Sequence, residues 1–221
     1  MKCPRCVQRI HRAAAGCPHC GFTLDDADAI FGADEVRLRS LTDAAGLMRR
    51  DEQRRVELAM IEFNRRFPQL FIAVHTGAFS GVANLRQFGF WLLNRGAFED
   101  VEVDRPNEAG VLIAIDAESK AAGITFGYLL DPFLDEEDTF LCLSRAHSYW
   151  LEGRFADGMV KAIEQLEILL KKRCRQARRN PSKFERRVSR PPQVDHLVQK
   201  IRRGRQQEPV QNGNENEEVP R

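Results

Sequence analysis

Apolar side chains recur at helical spacing at Val56, Ala59, Met60, Phe63 and Phe67, while Arg54, Arg55, Glu62 and Arg65 fall on other faces. This pattern predicts an amphipathic helix with one face turned inward, stopped by Pro68. The next run, Leu70-Phe71-Ile72-Ala73-Val74, is almost continuously apolar and reads as a buried strand. A second helix over about 80–95 carries Leu85, Phe88, Trp91 and Leu92 and ends at Gly96. Gly110-Val111-Leu112-Ile113-Ala114-Ile115 predicts another buried strand. A polar turn, Asp116 to Lys120, leads to a shorter alternating strand around Ile124 to Tyr128. Two helices, about 135–151 and 155–178, follow, with Phe155, Met159, Ile163, Leu166 and Leu170 on the inner face of the second. Helices and strands mixed in this order predict a compact α/β domain over 41–178.

The first 40 residues follow neither period. Four of the six cysteines lie there as Cys3-x2-Cys6-x10-Cys17-x2-Cys20, each pair reading Cys-Pro-x-Cys, the second continuing into Gly21. Zinc takes four thiolates at tetrahedral corners, and two residues between cysteines let one tight turn aim both sulfurs at the same ion. Proline sets φ within the turn, and Gly21 tolerates the backbone angle needed after the second pair. The spacer Val7 to Gly16 has the length of a short hairpin. A small zinc ribbon is therefore expected at 1–24, with Cys3, Cys6, Cys17 and Cys20 as ligands of a structural zinc. Two disulfides would need an oxidising compartment, and a thioredoxin-like pair would need a βαβ context that does not precede residue 20. His11 and His19 are close by, but four thiolates complete the shell. Residues 25–40, rich in Asp and Ala, are expected to be a linker. Cys142 and Cys174 stand alone on predicted helices, the first as a core thiol and the second as an exposed one.

Composition narrows the class further. The chain has 221 residues, 43% of them hydrophobic, with 34 Lys and Arg against 32 Asp and Glu, which excludes collagenous, wholly disordered and disulfide-scaffold proteins. No stretch has the roughly 18 consecutive apolar residues of a membrane span. The start, Met1-Lys2-Cys3-Pro4-Arg5-Cys6, lacks an apolar leader, so a cytoplasmic protein is expected. The small net charge of +2 conceals a segregation: residues 171–205 hold fourteen bases and two acids, a local +12, while residues 1–170 carry −7. An arm of this kind suits a polyanion such as nucleic acid, an anionic membrane surface, or the acidic body of another copy; the plainer reading is a solvated tail. Phe184 is its one aromatic, which argues against base stacking. Pro181, Pro191 and Pro192 interrupt regular structure, and 179–221 is expected to be a basic, then polar, disordered tail.

The central domain resembles the TPM domain family, which is widespread in bacteria and includes thylakoid photosystem-repair proteins. The resemblance runs over about residues 38–172. It rests on Leu41-Thr42-Asp43-Ala44-Ala45-Gly46-Leu47, the apolar strand Phe71–Val74, the strand Gly110–Ile113, and the turn Gly127-Tyr128-Leu129-Leu130-Asp131 with Asp135 after it. Glu152-Gly153-Arg154-Phe155-Ala156-Asp157-Gly158 closes the pattern. The resemblance implies a small mixed β-sheet sandwiched by helices. Some plant members have been proposed as divalent-cation-binding acid phosphatases, and others look like accessory or assembly factors. Carried over by position, Asp43, Asp131 and Asp135 are the candidate ligands for Ca²⁺ or Mg²⁺. This chain departs from the family's Gly-Tyr-Gly-Leu-Glu, with Leu129 at the second glycine and Asp131 at the glutamate, and Pro132 stiffens the loop.

Each candidate also has a plain structural role. Asp135 with Glu136, Glu137 and Asp138 suits a helix cap whose acids complement the dipole. Asp43 and Asp131 suit turns. His75, at the end of the first central strand, is either a base or a polar terminus, and His147 is expected to be half-buried on its helix. Gly77, Gly81 and Gly89 do not form a phosphate-binding fingerprint. The leading expectation is a non-enzymatic interaction or accessory module with a protein partner, its basic tail touching a polyanion or membrane surface. The alternative is a divalent-cation-dependent phosphatase on the acidic trio.

Overall fold

In the computed structural model the chain divides into two units, residues 1–189 and 190–221. The residues described are 2–11, 14–79, 84–102, 106–182 and 184, all within the first unit. The expected tail beyond 184 lies outside the described residues.

The elements follow the apolar pattern closely where that pattern is long. In chain order they are α1 (Leu24–Phe31), β1 (Val36–Leu38), β2 (Leu41–Asp43), α2 (Arg50–Arg66), β3 (Phe71–Gly77), α3 (Leu85–Arg95) and β4 (Gly96–Phe98). There follow β5 (Gly110–Asp116), β6 (Ala122–Phe126), α4 (Glu136–Leu151) and α5 (Phe155–Arg179), with 3-10 turns at Asn107–Ala109 and Tyr128–Leu130. A four-stranded sheet runs β2-β3-β5-β6, the first three parallel and β6 antiparallel to β5; β1 and β4 pair as a separate parallel ribbon. The architecture is thus mixed α/β, with small sheets flanked by helices.

β3 and β5 organise both faces because strand side chains alternate. Ile72, Val74, Val111, Ile113 and Ile115 point to one side, where they share a core with Val56, Met60 and Phe63 of α2, Cys142 and Trp150 of α4, and Met159, Ile163 and Leu166 of α5. Phe71, Ala73, Leu112 and Ala114 point to the other, against Phe88, Trp91 and Leu92 of α3 and Ala27 of α1. Burial on both sides is what makes these two strands read as unbroken apolar runs. α3 approaches the sheet closely at Gly89, where a Cβ would lie 2.2 Å from Thr125 Oγ1 on β6.

Several local differences from the sequence reading have physical causes. α1 starts at Leu24 and runs into the expected linker because Thr23 caps it: its hydroxyl accepts from Asp26 N while Asp26 Oδ2 accepts from Thr23 N at 2.8 Å. α1 is then tied to α3, where Trp91 Nε1 donates to Gly32 O at 2.7 Å and Arg95 Nε donates to Asp28 Oδ1 at 2.9 Å. α3 begins at Leu85 behind an Asn84 cap. β6 ends at Phe126, before Tyr128, which opens a 3-10 turn. His147 is exposed on α4, not half-buried, and Cys174 is half-buried on α5, not exposed.

Candidate metal centre

Two pieces of backbone with matched geometry carry the four cysteines. In the first, Cys3 N donates to Gln8 O (2.8 Å) and Val7 N to Cys3 O (3.0 Å). In the second, Cys17 N donates to Phe22 O (2.8 Å) and Gly21 N to Cys17 O (2.9 Å). Each turn therefore wraps its first cysteine and needs a left-handed residue immediately after its second cysteine. That residue is Gly21 (φ 75°) in one and Val7 (φ 64°) in the other. Glycine accepts this conformation freely, whereas a β-branched side chain is strained in it. The sequence pointed to Gly21; the equivalence of Val7 emerges only when the two turns are compared.

The turns bring the sulfurs together. Cys3 Sγ lies 3.7 Å from Cys20 Sγ and Cys6 Sγ lies 3.6 Å from Cys17 Sγ, with all four sulfurs within 4.8 Å of one another. A tetrahedral site with Zn–S near 2.3 Å separates its sulfurs by about 3.8 Å, so the spacing fits such an ion. It does not fit disulfides, and all four are free thiols. Cys3 and Cys17 are buried, Cys6 and Cys20 half-buried. Burial pushes the Cys3 thiol up to about 12. Burial also raises Cys17, but the backbone of Cys20 and His19, with the Cys6 and Cys3 sulfurs, brings it down to about 7. The backbone around Gln8 lowers Cys6, yet burial and the Cys20 and Cys17 sulfurs leave it raised. Four thiolates this close together repel one another, and a dication at their centre would supply the positive charge that offsets this.

The cysteine unit does not stand apart from the α/β body. Cys3, Cys17 and Phe22 belong to the same apolar cluster as Phe88 and Trp91. Phe22 meets Phe90 edge-on with centroids 5.9 Å apart. Asn84 serves both sides, its Oδ1 accepting from Arg86 N at 2.9 Å to cap α3 and its Nδ2 donating to Pro4 O at 3.2 Å. Lys2 Nζ reaches Glu136 Oε2 at 2.5 Å, and Arg86 Nη1 lies 3.4 Å from the other oxygen of the same carboxylate.

The acidic candidates stand differently. Asp43, at the end of β2, accepts from Leu47 N (3.0 Å), Met48 N (2.9 Å), Gln53 Nε2 (3.4 Å) and the Thr76 hydroxyl. Burial pushes its carboxyl up, but these donors outweigh it and hold the group below its ordinary value. Asp135 caps α4, its Oδ1 accepting from Asp138 N at 3.0 Å, and its other oxygen lies 3.5 Å from Arg173 Nη2. Asp131 follows the 3-10 turn, with its N donating to Tyr128 O at 3.2 Å. Among the described residues, the four cysteines are the group of three or more metal-ligating side chains that converges; Asp43, Asp131 and Asp135 do not form another. His75 sits half-buried in β3 beside Phe79 and Phe88, its Nδ1 buried without a hydrogen-bond partner among the described residues, and burial lowers its pKa. The sequence reading missed Asp116, an almost fully buried carboxylate at the end of β5 that accepts from Phe79 N (3.1 Å), Glu118 N (3.3 Å), Ser119 N (3.3 Å) and the Ser119 hydroxyl. Its place at the carboxyl end of an apolar strand, with Ser119 three residues on, was the available signal.

The basic residues Lys172, Arg175, Arg178 and Arg179 extend α5 and are exposed, whereas Arg173 turns back onto Asp138 at 2.8 Å. Phe184 packs on Phe133 with centroids 5.5 Å apart. Among the described residues no helix is long and apolar enough to cross a membrane.

No family model and no curated protein matches the chain. Two solution NMR structures are similar to it. The N-terminal domain of a P. gingivalis protein gives a TM-score of 0.47 at 18% identity, over 61% of this chain and 83% of that one. The N-terminal domain of the cg2496 protein from Corynebacterium glutamicum gives 0.45 at 16% identity, over 61% of this chain and 82% of that one.

Proposed function

We propose that the protein is a non-enzymatic interaction module: a TPM-like α/β domain carrying a structural zinc on Cys3, Cys6, Cys17 and Cys20, with a basic arm that contacts a polyanion or an anionic membrane surface. The observation that carries the zinc reading is the gathering of four sulfurs at tetrahedral spacing, 3.6 and 3.7 Å for two of the pairs. Four thiolates close the shell, leaving no position for a substrate or an activated water, so the ion's role is structural. The TPM-like reading rests on the order of the short motifs from Leu41 to Gly158. The arm reading rests on the charge of residues 171–205 and the exposure of Lys172, Arg175, Arg178 and Arg179. A cytoplasmic setting accords with four reduced thiols.

Metal analysis of the purified chain tests the centre, with one zinc per chain expected and none in Cys3→Ser/Cys6→Ser. Calcium titration of wild type and of Asp43→Asn/Asp131→Asn/Asp135→Asn tests the acidic trio. No response from either accords with the structural partners of Asp43 and Asp135; calcium held by wild type and lost in the triple variant would return the cation-dependent reading. Binding of duplex DNA and of anionic vesicles at several salt concentrations tests the arm, where affinity falling steeply with salt is expected.

A further inference from the structure

We infer that the cysteine centre is a metal-operated latch: the loaded unit covers the Leu85–Phe90 face of α3, and loss of the ion uncovers it while the sheet stays folded. The inference rests on the zinc reading above. Three observations carry it.

First, the unit has little internal structure beyond the backbone bonds of its two cysteine turns, and its apolar side chains are buried against α3 and not against one another. Among its described residues strand pairing is limited to the single bridge Lys2↔Arg9, and Val7 sits in a left-handed conformation unfavourable to valine. A segment this small lacks the core to fold alone, so metal binding and its folding are one event.

Second, the cover it makes is apolar and local. Phe22 lies on Phe90, Ile10 and Leu85 pack into the same cluster, and Asn84 Nδ2 binds Pro4 O. Without the unit, Phe90 loses the Phe22 ring and the Asn84 amide loses its acceptor.

Third, the release has a boundary. Gly21 and the Thr23 cap separate the cysteines from α1, and α1 is pinned to α3 independently by Trp91 Nε1 to Gly32 O and by the Arg95–Asp28 pair. Phe88 and Trp91 also keep their ring contacts with Phe31 of α1. The segment before Thr23 therefore has a way to lift without taking α1 along, and the surface laid bare is the outer, N-terminal half of α3.

Amide hydrogen exchange of the full chain, zinc-loaded and after chelation, reads this directly. Chelation is expected to speed exchange in Leu85–Phe90 by about tenfold or more and to leave Phe71–Gly77 and Gly110–Asp116 protected, as a local opening does. In zinc-loaded Phe22→Ala, exchange over Leu85–Phe90 should rise while one zinc per chain is retained. Zinc bound and removed with α3 exchange unchanged would overturn the latch and leave the metal centre standing. Loss of protection in both central strands would mean that the ion holds the whole fold, also overturning it. A chain that binds no zinc would overturn the metal centre, and the latch with it.

Discussion

The cysteine unit and the four-stranded body reach order by opposite means. β3 and β5 bury a residue on each face at almost every position, so each strand contributes several side chains whose removal from water is worth about 1.5–3 kcal/mol apiece. Among the described residues of 2–22 there is no such interior: the buried ones are Cys3, Pro4, Cys17 and Phe22, and Phe22 packs against Phe90 of α3. One region is held by many interchangeable contacts; the other, on the proposed zinc reading, depends on four sulfur ligands that are not interchangeable. The body should therefore tolerate single losses in proportion to volume, while the cysteine unit should fail all at once.

The sharpest break in this contrast is Cys17→Ser, expected to abolish stoichiometric zinc and order before Thr23 while far-ultraviolet circular dichroism keeps the signal of α2, α4 and α5. Structural zinc binding is worth on the order of 10 kcal/mol, which makes this the largest effect. Ile113→Ala tests the other side: a fully buried β5 residue should cost about 3 kcal/mol by urea titration without altering zinc content. Gly89→Ala probes the layer between them, because the new methyl meets Thr125 on β6 and α3 must shift outward. A loss of about 2 kcal/mol is expected, together with a weaker Phe22–Phe90 contact.

Asp43→Asn carries a pH signature. The folded carboxyl titrates below its unfolded value, so its contribution is full above the ordinary carboxylate range and is lost as pH falls through the depressed folded pKa. The variant should lose about 1 kcal/mol at neutral pH and show a flatter acid limb in a stability-versus-pH series. The smallest effect has the opposite sign. Val7→Gly relieves the left-handed valine at some entropic cost in the unfolded chain, and should slow zinc loss to a chelator by an amount worth about 0.5 kcal/mol.

Elements with a long repeat were legible from residues alone. The apolar face of α2, the double-sided runs of β3 and β5, and the inner stripe of α5 each carry enough period to exclude another structure. β1, β2 and β4 have three residues each, too short for any period, and exist because neighbours supply their hydrogen bonds. α1 was hidden by its acidic composition, although Thr23 and Asp26 stand at capping-box spacing. Among site residues, the Cys-Pro-x-Cys spacing announced which sulfurs converge, since the chemistry lies within two tight turns. Asp43 and Asp135 suited either a cation or a turn and a cap, because a carboxylate's sequence context does not count its donors. The structure counts four donors on Asp43 and places Arg173 beside Asp135.

What the sequence by itself determined is therefore local or periodic: the helices and core strands, the candidate four-thiol centre, and the charge segregation toward residues 171–205. Where the cysteine unit sits was decided by tertiary structure alone. Asn84 joins the first cysteine turn to the start of α3 across 80 positions, and Glu136 joins Lys2 to Arg86. Such contacts leave no period or spacing in the chain, because each depends on two faces that only packing brings within hydrogen-bonding distance.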